Sequence, residues 1–429
     1  MNLPEEFIIR MQKRLGAAYP AFLRCYDAPP VRGVRANLLK LSAEAFAALA
    51  PFAGERVPWA EGGFYTAAEK VGHFPAWHAG LFYAQEPSAM CAAPLLAVKP
   101  GERVLDLCAA PGGKTTQLAA AMRGEGVLVA NEYVFDRARI LSQNVERLGV
   151  RNAAVVSADP AALAARLPQY FDKILVDAPC SGEGMFRRDE TAIAEWSVQN
   201  VERCIVRQRE ILDSAAQMLA GGGTLVYSTC TFERGENEDQ VAQFLVRHPD
   251  FVLIEQHLLL PHEVRGEGHF AAVLQRTDGE RCDAPPFPQT RNAAAERAFA
   301  AFAEEFFVRI PAGRLTAAGD RLYLLPAGLP ALAGNVLRAG LELGTFDGKR
   351  FTPAHALAMA VSADEVRSRF ELSDAECVRW LCGETLSREG RGWGIVTWRG
   401  HSLGLCKAAG GVLKNHYPKG LRDSRVVLG

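Results

Sequence analysis

Between about residue 76 and residue 275, short apolar runs alternate with stretches whose apolar positions recur every three or four residues. The runs at 104–107, 127–130, 153–157, 173–177 and 224–228 read as strands, and the segments between them read as helices. Alternation at this spacing predicts an α/β unit, a parallel sheet with helices on both faces. In such sheets ligands gather off the carboxyl ends of the strands, so the residues just after each run are the ones to read for chemistry. Ahead of this unit, residues 1–75 open with an amphipathic segment (Phe7, Ile8, Met11, Leu15) and continue through the strand-like V-R-A-N-L-L-K-L, a small α+β domain. Its Lys13, Arg14, Arg32, Arg35 and Lys40 read as scattered surface charge. Residues 276–298 are rich in Pro and polar residues and read as a linker; 299–365 and 366–429 read as two further small domains.

Composition narrows the class. With 429 residues, 49% of them hydrophobic, the chain can bury full cores in several domains. A formal net charge of −1 excludes an overall basic field, so a polyanionic partner must be held by local patches. The best such patch runs from residue 401 to 429, with five Lys or Arg residues against one acid, Asp423. Ten cysteines without a C-x-x-C pair, and no secretory leader, point to reduced thiols in the cytoplasm rather than disulfides or a zinc site. No uncharged apolar run approaches the roughly 18–20 residues that cross a bilayer. The expectation is a cytoplasmic monomer with no metal and no membrane contact.

The chemistry concentrates in V-L-D-L-C-A-A-P-G-G-K-T-T, residues 104–116, which reads as a strand, a tight turn and a helix start. Glycines let a ligand approach the backbone there, and the free amides of the helix start suit a polar or anionic group. A Walker loop ending in Gly113-Lys114-Thr115 would need glycine where Cys108 stands, and G-x-G-x-x-G is absent. A nucleoside site of another kind remains, with Glu132 at the end of the second strand placed for ribose hydroxyls. Asp159 and Asp177 follow the third and fourth strands: Asp159 is placed for the base amine, Asp177 between the nucleoside and whatever reacts with it. A single strand-end carboxylate is commonly a helix cap; three in succession beside a glycine turn favour a site.

Two cysteines select the reaction. Cys180 and Cys230 each follow a strand, in A-P-C-S-G and S-T-C-T, and should face one cleft, whereas Cys25, Cys91, Cys204 and Cys282 read as buried structural residues. A thiolate beside a nucleoside cofactor can add to carbon 6 of cytosine, which makes carbon 5 electron-rich enough to take a methyl group from a sulfonium.

The motifs C-A-A-P-G-G-K-T, D-A-P-C-S-G-E-G and Y-S-T-C-T-F-E-R-G-E-N-E resemble, in order and spacing, those of the S-adenosylmethionine-dependent RNA (cytosine-5)-methyltransferases, with a Rossmann-like class I sheet. The tail G-T-F-D-G-K-R-F-T-P-A-H-A and L-K-N-H-Y-P-K-G-L-R further resembles the bacterial 16S ribosomal RNA branch called RsmF, whose C-terminal part is similar to a PUA RNA-binding module. The resemblance implies Cys230 as nucleophile, Cys180 as the thiol assisting proton loss and product release, Asp177 as the residue steadying the cytosine ring, and Lys114 as an aid to positioning it. It implies S-adenosylmethionine contacts at Cys108, Ala109, Ala110, Pro111, Gly112, Gly113, Lys114, Glu132, Arg137, Asp159 and Asp177. It implies 16S ribosomal RNA or the small subunit as partner, gripped by the N- and C-terminal domains. Pro160 and the alanines after Asp159 depart from the more polar stretch often found in relatives, which sets the adenine contact apart from the rest.

Three readings compete. An amino-group methyltransferase needs no thiol and usually carries Pro-Pro-aromatic where this chain has D-A-P-C; a non-catalytic RNA-binding assembly factor has no use for both cysteines; a nucleotide triphosphatase is disfavoured by Cys108. Methylation of transfer RNA or 23S RNA is the alternative within the class. Removal of residues 401–429 is expected to weaken RNA binding and spare cofactor affinity.

Overall fold

The computed structural model describes residues 2–311 and 313–428. Its centre is an eight-stranded sheet. Five strands, Arg103–Asp106, Val127–Asn131, Ala153–Ser157, Phe171–Asp177 and Leu219–Thr229, run parallel, with the first in the middle, the second and third to one side and the fourth and fifth to the other. The hairpin Phe251–Leu259 and His269–Arg276 continues the sheet antiparallel beyond the fifth strand. Leu105, Val129, Val156, Ile174 and Leu225 are buried, as strands covered on both faces require.

The opposite edge holds a strand from far along the chain. Asn335–Ala339 pairs antiparallel with Ala153–Ser157, and Arg338 reaches the helix Phe135–Arg147 through Ser142 and Glu146. Leu329, Leu325 and Ala339 enter the core of the central sheet. The Pro-rich stretch before them lies along the amino ends of the strands, where Arg103 donates to the Cys282 carbonyl and Arg281 pairs with Asp172.

Both chain ends meet on the other side. A three-stranded sheet (Arg32–Ala36, Gly63–Thr66, Phe82–Ala84) and a five-stranded one built from residues 369–415 bury Val34, Phe46, Phe64 and Phe82 in one apolar cluster with Trp380, Val396, Trp398, Leu403 and Leu413. His73 and His78 on the N-terminal side bond Asp423 and Tyr417 on the other. Two residues read as scattered surface charge are therefore misplaced by that reading: Arg35 is 3% exposed and Lys40 is half-buried between segments. Their partners lie too far away in the chain for a charge pattern to reveal. Cys91 and Cys204 are buried, but Cys25 and Cys282 are only half-buried, because each sits in a connection at the rim of a core. No helix among the described residues is long and apolar enough to cross a membrane, and no group of three His, Cys, Asp or Glu side chains among them could hold a metal ion.

Candidate active site

The first strand ends at Asp106 and the chain turns through Leu107–Gly112 into the helix Gly113–Met122. Gly112 has φ of +112°, a conformation a side chain resists, and this lets the turn close against Leu141 of the neighbouring helix. The turn is held from beneath and from the side. Thr115 donates its hydroxyl to Asp106 (2.7 Å), and Asn131 ties the ends of the first three strands by donating to the Leu107 and Ala158 carbonyls and accepting from the Ala158 amide. From the N-terminal domain, buried Arg35 donates to Gly113 O (2.6 Å), Thr116 Oγ1 (2.8 Å) and Gln85 Oε1 (2.9 Å). A domain read as a separate RNA grip thus also shapes this loop.

Around the loop stand the carboxylates. Asp106 is buried with one oxygen lacking a partner, and burial pushes it up to about 7. Glu132, nearly buried, accepts from the Val134 amide (3.0 Å) and faces Arg137 at 3.5 Å, while Arg137 also donates to the Ala110 carbonyl (3.1 Å). Asp159 is exposed and caps the next helix with one oxygen on the Ala161 amide (2.8 Å), the other having no partner among the described residues. Cys108 is half-buried, and its thiol is pushed far up by burial and the surrounding carboxylates, which makes it an inert wall.

At the fourth strand end Asp177 accepts from Lys114 Nζ on one oxygen (2.8 Å) and from Ser228 Oγ on the other (2.8 Å). Burial alone would raise Asp177, but the Lys114 ammonium above all, and the Ser228 hydroxyl, hold it below the usual carboxylate range. Burial likewise pulls Lys114 down, and the Asp177 carboxylate outweighs it, so Lys114 stays above its ordinary value and charged. Cys180 and Cys230 come together: their Sγ atoms are 3.3 Å apart, and both residues are partly open to solvent. The bond to Cys230, then burial, pushes the Cys180 thiol well up, so Cys180 keeps its proton.

The sulfur pair is placed by a buried polar knot that the motif reading left without a role. Glu236 accepts from the Ser181 amide (3.0 Å) and Gln208 Nε2 (2.7 Å), and Gln208 also donates to the Pro179 carbonyl. Asn237 accepts from Thr229 Oγ1 (2.6 Å) and donates to the Thr231 carbonyl (2.9 Å), and Ser181 and Thr231 share a hydroxyl bond (2.8 Å). R-G-E-N-E therefore staples the loop of each cysteine to the other. His269 was also missed. It opens the last hairpin strand, is 1% exposed, and sets Nε2 3.6 Å from Asp177 with neither ring nitrogen bonded. The only local signal is a polar residue at the start of an apolar strand. Of the residues implied by the motifs, Lys114, Asp177, Cys180 and Cys230 are drawn into one cluster, and the loop with Glu132, Arg137 and Asp159 forms the adjoining rim.

Residues 93–276 match the family model described as 16S rRNA methyltransferase RsmB/F. Residues 3–87, 301–361 and 367–423 match the RsmF N-terminal domain, first C-terminal domain and PUA domain. The chain is 34% identical to the ribosomal RNA small subunit methyltransferase F of Escherichia fergusonii, over 99% of this chain and 98% of that one. It is 36% identical to the protein of that name from Klebsiella pneumoniae, with the same shares covered. Among solved structures, a methyltransferase homolog protein from Pyrococcus horikoshii is 29% identical with a TM-score of 0.55, over 64% of this chain and all of that one. The fold is shared with NSun6 from the same organism, solved with SFG, at 22% identity and a TM-score of 0.59, over 64% and 98% of the two chains.

Proposed function

The chain belongs to the RsmF family of 16S ribosomal RNA methyltransferases, and from that premise we propose that it methylates carbon 5 of cytosine in that RNA by way of a cysteine adduct. The observation that carries the reading is the pair of sulfur atoms 3.3 Å apart beside the Lys114–Asp177 pair. A reaction without a covalent step has no use for two half-open thiols at adjacent strand ends.

The rim fits S-adenosylmethionine. Three carboxylates face the loop, Asp106 with an unpartnered oxygen and Asp159 with one free, an arrangement suited to a cationic ligand bearing an amine and hydroxyls. Glu132 would bond the ribose, Asp159 the adenine amine, and residues Cys108 to Lys114 the rest of the ligand, with Arg137 holding Glu132 and the loop in place. When bound, this ligand supplies an electrophilic methyl on a sulfonium.

In the reaction Cys230 adds as thiolate to carbon 6 of a flipped-out cytosine, which makes carbon 5 nucleophilic. That carbon takes the methyl of the bound donor, and the electron pair of the broken S–CH3 bond stays on the donor's sulfur, leaving a neutral thioether. Asp177, ionised and steadied by Lys114 and Ser228, accepts from the exocyclic amine of the cytosine and so orients the ring, while the Lys114 ammonium offsets the negative charge that develops on it. With Cys230 bound to carbon 6, the bond that chiefly holds the proton on Cys180 is gone. Cys180 releases that proton to solvent and its thiolate takes the carbon 5 proton, the C5–H electron pair restores the ring double bond, and the C6–S pair leaves as the Cys230 thiolate. Unstacking the base costs a few kcal/mol, which the basic surface of the terminal domains offsets by gripping flanking RNA. The place of action is the cytoplasm, where the RNA substrate is.

The test is incubation with methyl-labelled S-adenosylmethionine and small-subunit RNA. Label should appear on carbon 5 of cytosine, Cys230→Ala should give none, and Cys180→Ala should trap protein on RNA in a denaturing gel. Normal turnover by Cys180→Ala, with no adduct, would refute the division of labour between the thiols.

A further inference from the structure

At the amino ends of the central strands, opposite the end that holds the reaction cleft, lies a cavity of about 920 Å³ lined by the N-terminal domain, the central unit and residues 359–402. Its floor is Arg123–Gly124 and Gly149–Asn152, the turns feeding the amino ends of the second and third strands, whereas the Pro-Gly-Gly loop is at their carboxyl ends. Lys40 of the N-terminal domain forms one wall, residues 359–365 another, and Arg369, Glu371, Thr397 and Gly400–Ser402 the roof.

The charges lining it are unevenly paired. Glu365 is taken up by a two-pronged bond with Arg151, and Glu371 by the Thr397 hydroxyl (2.6 Å) and the Gly400 amide (3.3 Å). Asp364 is exposed, held by Ser362, and lies in the field of Arg369 and Arg151 without a direct ion pair to either among the described residues. Donors remain underused. Among the described residues Lys40 Nζ bonds only the Ala79 carbonyl (2.8 Å) and has no ion pair, Arg369 bonds only the Ala363 carbonyl (3.0 Å), and the buried Ser402 Oγ has no partner. The titratable groups acting on Lys40 are Arg147 and Arg151, and His355 and His401 feel it in turn; none is an acid. Burial, then Arg147 and Arg151, push Lys40 down to about 7, the response of a cation with no counter-charge.

We propose that this cavity is a phosphate-binding site separate from the reaction cleft, with Lys40 Nζ and Ser402 Oγ contacting the phosphate oxygens and Arg369 at the rim. The volume suits a nucleotide-sized group. Phosphate supplies the acceptor oxygens and negative charge that the leftover donors lack, and it restores the charged form of Lys40. Two sources share this chemistry, a phosphodiester of bound RNA and a free phosphate-bearing small molecule.

The experiment follows thermal unfolding of the full chain as inorganic phosphate replaces chloride at constant ionic strength. The wild-type Tm should climb with phosphate concentration, because a ligand that binds only the folded state stabilises it. Lys40→Met, which removes a half-buried cation that has no counter-charge, should fold and lose that climb, and Ser402→Ala should need about tenfold more phosphate for the same shift. No phosphate-specific climb in the wild type, or an equal climb in all three proteins, overturns the proposal. If Lys40→Met fails to fold, Ser402→Ala decides alone by the same criterion. The source is read from RNA titrations at several salt concentrations: a slope of log affinity against log salt reduced by about one in the mutant marks RNA phosphate as the occupant, and an unchanged slope marks a free ligand.

Discussion

Asp177 has to remain ionised in a half-closed cleft while presenting an oxygen to a base. Lys114 and Ser228 bond its two oxygens, and His269 sits at 3.6 Å as a third, uncharged neighbour. Burial, then repulsion from Lys114, only partly offset by Asp177, brings His269 down to about 3, so the ring is neutral throughout the working range and cannot act as an acid there. The sign of the linkage follows. Between pH 6.5 and 3 the unfolded chain protonates this histidine and the native one does not, so folding stability is lost as pH falls through that window. His269→Gln should show less acid sensitivity, with the stability difference from wild type closing by about 1.4 kcal/mol per pH unit below 6.5. Urea midpoints at pH 7, 6 and 5 check this; parallel loss in both proteins would count against a buried neutral ring.

At the scale of elements, the cleft depends on how two loops are stapled. Glu236 belongs to the segment after the second cysteine loop yet bonds the amide after Cys180, and burial raises its pKa despite bonds from Ser181 and Gln208. Glu236→Ala leaves those donors unpaired in a dry site and should cost about 2–4 kcal/mol of stability. It should also lower kcat more than it raises the KM for cofactor, because the sulfur separation changes while the Pro-Gly-Gly loop does not. Glu236→Gln keeps one acceptor and should recover part of both. Denaturant titration and steady-state kinetics separate these effects. The same scale shows what local patterning misses. The five parallel strands were legible because each is a self-contained apolar run bounded by turns, whereas Asn335–Ala339 became the sheet's edge partner through pairing with residues some 180 positions earlier.

For the whole molecule, the chain ends form one structural unit. Leu403, Cys406, Leu413 and Tyr417 share a core with Val34, Phe46 and Phe82. Deleting residues 401–429, which the basic composition alone made a clean test of RNA binding, would strip two strands from that core and open the N-terminal domain as well. The informative variant neutralises exposed charge and leaves the core intact. Lys414→Gln with Lys419→Gln should leave Tm and cofactor affinity near wild type, weaken small-subunit RNA binding, and reduce the salt slope by about two. An unchanged slope would mean that the RNA does not cross this surface.

The amino-acid order determined by itself that there is a parallel sheet, where its strands end, and that two thiols, a lysine and three acids follow those ends, because strand periodicity and turn chemistry depend on near neighbours. Packing alone decided that Arg35 clamps a loop 78 positions away, that His269 backs Asp177, that Lys40 stands without a counter-charge, and that head and tail share one core. Those outcomes depend on which distant segments exclude water together. A local pattern contains the propensity of each segment, but not its eventual partner.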